Sequence, residues 1–84
     1  MIGKTNTAQR RKIVADCLET ARTGAGLTRQ QMAERMSTDE LRVREWESGK
    51  RQIDLVELNI FCRAIGLPMS RFIGELEAKL EHNE

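Results

Sequence analysis

Apolar positions along the chain recur three and four residues apart, in five runs separated by short polar or glycine-containing breaks. The first run, Ile13, Val14, Cys17, Leu18 and Ala21, lies on one face of a helix that ends near Thr23, with Gly24 and Gly26 as its stop. Asn6 with Gln9 three residues on is a capping box for this helix, each side chain bonding the other residue's backbone N–H. The second run is Leu27, Met32, Ala33 and Met36, opened by a second such box at Thr28 and Gln31. It breaks at Ser37-Thr38-Asp39, small polar residues that favour turns and helix N-caps. The third run carries Val43 and Trp46 inward and ends at Gly49, where only glycine takes the left-handed conformation at little cost. The fourth begins at Asp54, with Glu57 completing a box, and its apolar face is Leu55, Leu58, Phe61, Ala64 and Ile65, closed by Gly66. Leu67-Pro68 opens the fifth, with proline suited to a first turn, and Met69, Phe72 and Ile73 return to the core. Beyond Gly74, which weakens a continuous helix by about 1 kcal/mol relative to alanine, the pattern continues as Leu76 and Leu80. The stripe Ile73, Leu76, Leu80 has two readings, a dimer seam that the small core does not cover or a helix that covers its own core.

The pattern predicts an all-α, compact five-helix bundle: residues 1–7 a flexible N-terminal arm and residues 8–81 one domain. The third helix, residues 39–48, has two contrasting faces. Val43 and Trp46 fall on one side, while Glu40, Leu41, Arg44 and Glu45 fall on the other and pack nothing obvious. A short helix with a packed back and long side chains in front suits the DNA major groove; it also suits an ordinary amphipathic surface helix.

Composition narrows the choice. Eighty-four residues allow one small domain, for which oligomerisation would add stability. Hydrophobic residues are 39% and charged residues 32%, ordinary for a helical domain, and no apolar run approaches a membrane span. The N-terminus has no apolar signal core, so the expectation is a cytoplasmic protein. The net charge of +1 conceals a polarity: residues 1–52 hold 11 Lys/Arg against 7 Asp/Glu, and residues 53–84 hold 3 against 6. The basic half contains the two-faced helix, which fits a phosphate-facing end and a partner-facing end. Arg10-Arg11-Lys12 reads as a solvated face or as a phosphate contact. Cys17 and Cys62, on the apolar faces of separate helices, read as buried free thiols. His82 is the only histidine, so no metal site is expected, and no cofactor is implied. No nucleophile–base spacing and no glycine-rich phosphate loop suggests an enzyme.

From Arg22 to Phe72 the chain resembles the phage repressor and Cro-type (XRE-like) helix-turn-helix family. The residues that carry the resemblance are Arg22, Gly26-Leu27-Thr28, Met32-Ala33, Met36, Val43, Trp46-Glu47-Ser48-Gly49-Lys50-Arg51, Phe61, Ala64-Ile65-Gly66-Leu67 and Phe72, all in the family's order without a gap. W-E-S-G-K-R is the most specific segment. The resemblance implies a lambda-repressor-like fold and a partly buried salt bridge between Arg22 and Glu47 that orients the reading helix. The chain departs from the family at the turn, where Ser37 replaces glycine, and at Ile53, where proline is common. Acidic Asp39, Glu40 and Glu45 also stand where Gln, Ser or Thr are usual.

These readings together predict a sequence-specific, double-stranded DNA-binding transcriptional regulator of prokaryotic or phage type, a small homodimeric autorepressor. The residues expected at base edges are Asp39, Glu40, Leu41, Arg44 and Glu45. Arg44 leads, because a guanidinium bonds guanine O6 and N7 bidentately. Thr28, Arg29, Arg42, Ser48, Lys50 and Arg51 are expected on phosphates, and Ile73, Leu76 and Leu80 at the dimer interface. The alternative is an antitoxin or co-regulator whose acidic C-terminal half docks a protein partner.

Overall fold

The computed structural model describes residues 6–82 and contains, among them, five helices and no strand. They are α1 (Thr7–Gly24), α2 (Arg29–Met36), α3 (Glu40–Ser48), α4 (Leu55–Ala64) and α5 (Met69–His82). Of the expected N-terminal arm, residues 1–5 lie outside the described residues, Asn6 is the N-cap of α1 and Thr7 is its first helical residue.

All three capping boxes form. The Asn6 side chain accepts from Gln9 N at 2.8 Å, Thr28 from Gln31 N at 3.1 Å and Asp54 from Glu57 N at 2.7 Å, each with the return bond present. Asp39 caps α3 alone, accepting from Arg42 N at 2.8 Å. Three helices end by one device: a residue in or beyond the last turn takes a left-handed conformation, and the next N–H closes onto a carbonyl five residues back. The closing bonds are Leu27 N to Arg22 O at 3.3 Å, Thr38 N to Ala33 O at 2.9 Å and Leu67 N to Cys62 O at 3.0 Å. The left-handed residues are Gly26, Ser37 and Gly66. Ser37, at φ 56° and ψ 43°, does without glycine what the other two turns do with it, at a cost of about 1–2 kcal/mol for a residue with a Cβ.

The caps aim the helices so that α3 packs on both α1 and α2, α4 on α2, and α5 on α1 and α4. Leu18, Met32, Val43, Phe61 and Phe72 fill the centre, one from each helix, with Trp46 and both cysteines beside them. Both thiols are free and buried, and burial pushes their pKa up.

The structure corrects the expected apolar faces of α4 and α5. Leu55 is 71% exposed rather than packed, and the buried face of α4 is Leu58, Phe61 and Cys62. Leu55 falls about 20° from Cys62 around a helix of 3.6 residues per turn, so its exposure comes from its place as the first residue of α4 and not from its side of the helix. On α5 the inward positions are Met69, Phe72 and Leu76, and Ile73 is 39% exposed instead of returning to the core. Leu76 packs against the protein's own core and Leu80 is half-buried, so the expected stripe is not an uncovered face.

Candidate nucleic-acid interface

The back of α3 is dry. Val43, Trp46 and Glu47 are buried on it, and Glu47 is the only carboxylate among the buried described residues. Arg22 on α1 meets it as a fork: Nε donates to Glu47 Oε2 at 2.6 Å and Nη2 to Oε1 at 3.0 Å. The third nitrogen, Nη1, donates to the carbonyl of Leu27 at 2.6 Å, tying the bridge to the turn that launches α2. Arg29 on α2 completes the arrangement, with Nε donating to Glu47 Oε1 at 3.0 Å and Nη2 to Glu19 at 3.4 Å. A fully hydrogen-bonded pair of this kind is costly to break from one side, because the remaining charge stays buried. The hydrogen bond to Glu47 holds the Arg22 guanidinium's pKa above its ordinary value. One carboxylate thus fixes α3 against both neighbouring helices. The sequence resemblance supplied the Arg22–Glu47 bridge; Arg29 as a second partner was not foreseen, because its spacing from Glu47 has no helical period.

The front of α3 is wet. Leu41 is exposed, and Arg44 stands beside it with Nη2 donating to Glu40 Oε1 at 2.6 Å. This is a surface i,i+4 pair, worth about 0.3–0.5 kcal/mol and readily exchanged for another acceptor. Glu40, Leu41 and Arg44 are brought together on the front as expected. Asp39 and Glu45 are not free for base edges in the same way. The Asp39 carboxylate caps α3, and Glu45 accepts from Arg51 Nε at 3.1 Å and orients it. Ser48 Oγ donates to Glu45 O at 3.1 Å and accepts from Lys50 N at 3.3 Å, which steadies the end of the helix.

Among the residues expected on phosphates, two kinds separate. Arg29 and Arg51 are ion-paired within the fold, and the Thr28 side chain is taken by its capping box. Arg42 and Lys50 are exposed and have no carboxylate partner among the described residues. Arg11 joins them. It lines a cleft of about 120 Å³ between α1 and the turn after α3, together with Trp46, Gly49, Arg51 and Gln52. Within the run Arg10-Arg11-Lys12, Lys12 is committed to a neighbouring acid, with Asp16 at 2.7 Å. Gln52 is the position at this edge that sequence reasoning did not single out. Arg11, one of the three basic residues with two readings in the sequence, shares a helical face with Val14, Ala15 and Leu18 and so reaches this edge. The indole Nε1 of Trp46 is buried there without a hydrogen-bond partner. Among the described residues no group of His, Cys, Asp and Glu is arranged to hold a metal, and no helix is long and apolar enough to cross a membrane.

Two capped helices at a left-handed turn, the second with a packed back and a polar front, define a helix-turn-helix domain. Residues 13–71 match the model of the helix-turn-helix domain family, and the chain belongs to that family. Two crystal structures of the clp gene regulator ClgR are similar in fold. One, from Corynebacterium glutamicum, has a TM-score of 0.80 at 20% identity and covers 88% of this chain and 79% of that one. The other, from C. glutamicum, has a TM-score of 0.76 at 21% identity and covers 83% of this chain and 91% of that one. No curated protein matches the sequence.

Proposed function

We propose that the chain is a sequence-specific DNA-binding transcriptional regulator that reads the major groove with the front of α3 and acts as a homodimeric repressor of its own promoter. The observation that carries this reading is the helix itself: a back held by Trp46 and the Arg22–Glu47 fork, and a front that presents Leu41 and Arg44 to solvent. Membership of the helix-turn-helix family supports it, as does a fold shared with a gene regulator. The W-E-S-G-K-R segment favours the phage repressor and Cro-type branch.

In this reading Arg44 exchanges Glu40 for guanine O6 and N7, and Leu41 meets a thymine methyl. Glu40 then accepts from a cytosine amino group or holds Arg44 in register. Arg11, Arg42 and Lys50 are the charges available to phosphate, and Arg51 joins them while braced by Glu45. The N–H groups at the start of α2 add a further anion contact beside Thr28. Binding should weaken steeply with salt, and Lys50→Ala or Arg11→Ala should each lower the salt slope by about 1.

The test is a gel-shift titration on the DNA upstream of the gene, at two salt concentrations, with random DNA as competitor. Binding that survives competitor supports the reading. Binding that disappears with salt and shows no preference would reduce the helix-turn-helix to a scaffold.

A further inference from the structure

Glu45 puts a negative charge on the reading helix, where a DNA backbone taken alone would repel it. The fold ties that charge to one cation twice over. Arg51 Nε donates to Glu45 Oε1 at 3.1 Å, and Arg51 N donates to Glu45 O at 3.1 Å. Gly49, at φ 81°, turns the chain back so that residue 51 lies against residue 45. Ser48 Oγ donates to the same Glu45 carbonyl at 3.1 Å and accepts from Lys50 N at 3.3 Å, which steadies the turn. Glu45 is half-buried, and Arg51 is exposed.

The bond to Glu45 uses only the Nε of Arg51. Neither Nη group has a partner among the described residues. These two groups form the guanidinium edge that matches two phosphate oxygens side by side. Arg51 also lines the cleft of about 120 Å³ that Arg11 lines, and no acidic residue is among its walls. Two guanidinium groups at one cleft repel each other, so an untied Arg51 would swing away into solvent. The carboxylate that prevents this stands outside the cleft.

We propose that Glu45 is a positioning residue: it holds Arg51 at this cleft with its outer edge open to a backbone phosphate of DNA, so that the acid on the reading helix strengthens DNA binding. The inference rests on the DNA-binding reading above and deepens it. Glu45 then acts as a brace and not as a base reader. Two effects give the sign. A guanidinium held beforehand loses less rotamer entropy when it meets its phosphate. The charges of Glu45 and Arg51 also cancel at a distance, so little repulsion of the backbone is left.

Gel-shift titrations of the parent, Glu45→Ala, Glu45→Gln, Arg51→Ala and the double variant test the brace, each on the DNA upstream of the gene and on random DNA. Arg51→Ala should weaken binding about tenfold, and Glu45→Ala about threefold or more, although it removes a negative charge. The loss should be the same on both DNAs, because a phosphate contact carries no sequence information. Each variant should also lower the salt slope by about 1. With Arg51→Ala already present, Glu45→Ala should weaken binding no further. Glu45→Gln keeps an acceptor for Arg51 Nε and should recover most of the loss. All variants should keep the helical circular dichroism of the parent, since the pair lies at the surface.

Tighter binding by Glu45→Ala would overturn the proposal and show plain repulsion. A loss confined to the upstream DNA would also overturn it, and would return Glu45 to the base edges. So would an equal loss from Glu45→Ala with and without Arg51. In each of these cases the parent still binds and the regulatory reading stands. A parent that binds neither DNA would overturn that reading and the proposal together.

Discussion

The helix α3 carries the same chemical pair at each end, and the two pairs do opposite jobs. Glu47 and Arg22 meet at 2.6 Å, and so do Glu40 and Arg44. In the first pair the side chains of Glu47 and Arg22 are 1% and 8% exposed; in the second, those of Glu40 and Arg44 are 41% and 56% exposed. Burial is the main difference, and the inner pair is also a two-bond fork that Arg29 joins. Water screens the outer pair, so Arg44 is free to exchange Glu40 for a base edge at little cost. The inner pair is almost wholly shielded from water, so losing either partner leaves a charge in a nearly dry site. A reading helix needs both conditions. Its scaffold end must not move, and its working end must be able to change partners.

Breaking the inner pair should have the largest effect. Glu47→Gln is expected to cost about 3–5 kcal/mol of stability, since it strands Arg22 and loosens Arg29 together. A denaturant midpoint close to the parent's would show that the fork is not the fastening of α3. Arg44→Ala should leave the melting curve in place yet cost about 1–3 kcal/mol in specific DNA binding. Retention of both affinity and sequence preference would remove Arg44 as the reading residue. Arg29 is the intermediate case, 37% exposed and bonded to buried Glu47. Arg29→Ala should cost about 1 kcal/mol of stability, between the two extremes, because solvent takes up part of the lost charge. A loss as large as that of Glu47→Gln would mean that partner identity, not burial, sets the scale. The smallest effect is expected for Glu40→Ala, about 0.3–0.5 kcal/mol in stability and less at high salt. A larger, salt-independent loss would place that pair in the scaffold as well.

The two cysteines offer a separate check on the dry interior. Burial raises both thiols, so the unfolded chain releases these protons at lower pH than the folded one. Stability from this source is intact below the ordinary thiol range and declines as the pH rises through it. Alkylation at mildly alkaline pH should be slow in buffer and fast in denaturant. Equal rates would mean the sites are open.

Local signals were legible because they act over a few residues. Asn6–Gln9, Thr28–Gln31 and Asp54–Glu57 each cap the helix that their spacing announced. Gly49 and Gly66 take the left-handed conformation expected of a helix stop. Ser37 stands where glycine is usual and adopts the glycine conformation all the same, because the turn geometry outweighs the cost of one Cβ. Leu55 stands bare at the start of α4 although it shares a side of the helix with buried Cys62, because hydrophobic spacing reports which residues are apolar and not how far along the helix a neighbour reaches. Arg29 was read as a phosphate contact from its place at a helix start, although its charge is shared with Glu47.

The sequence by itself determined the five helices, their caps and the turn between α2 and α3, since each depends on residues three to five positions apart. It also marked Trp46 and Val43 as the packed side of α3 and Arg44 as the open side. The tertiary structure alone decided which cations are spoken for. Arg22 and Arg29 converge on one carboxylate, Arg51 on another, while Arg11 is carried to the same edge as Gly49 and Gln52. It alone left the outer side of α4 bare. The physical reason is that the free energy of a charge or an apolar side chain depends on what surrounds it, and surroundings built from distant parts of the chain exist only once the helices have packed.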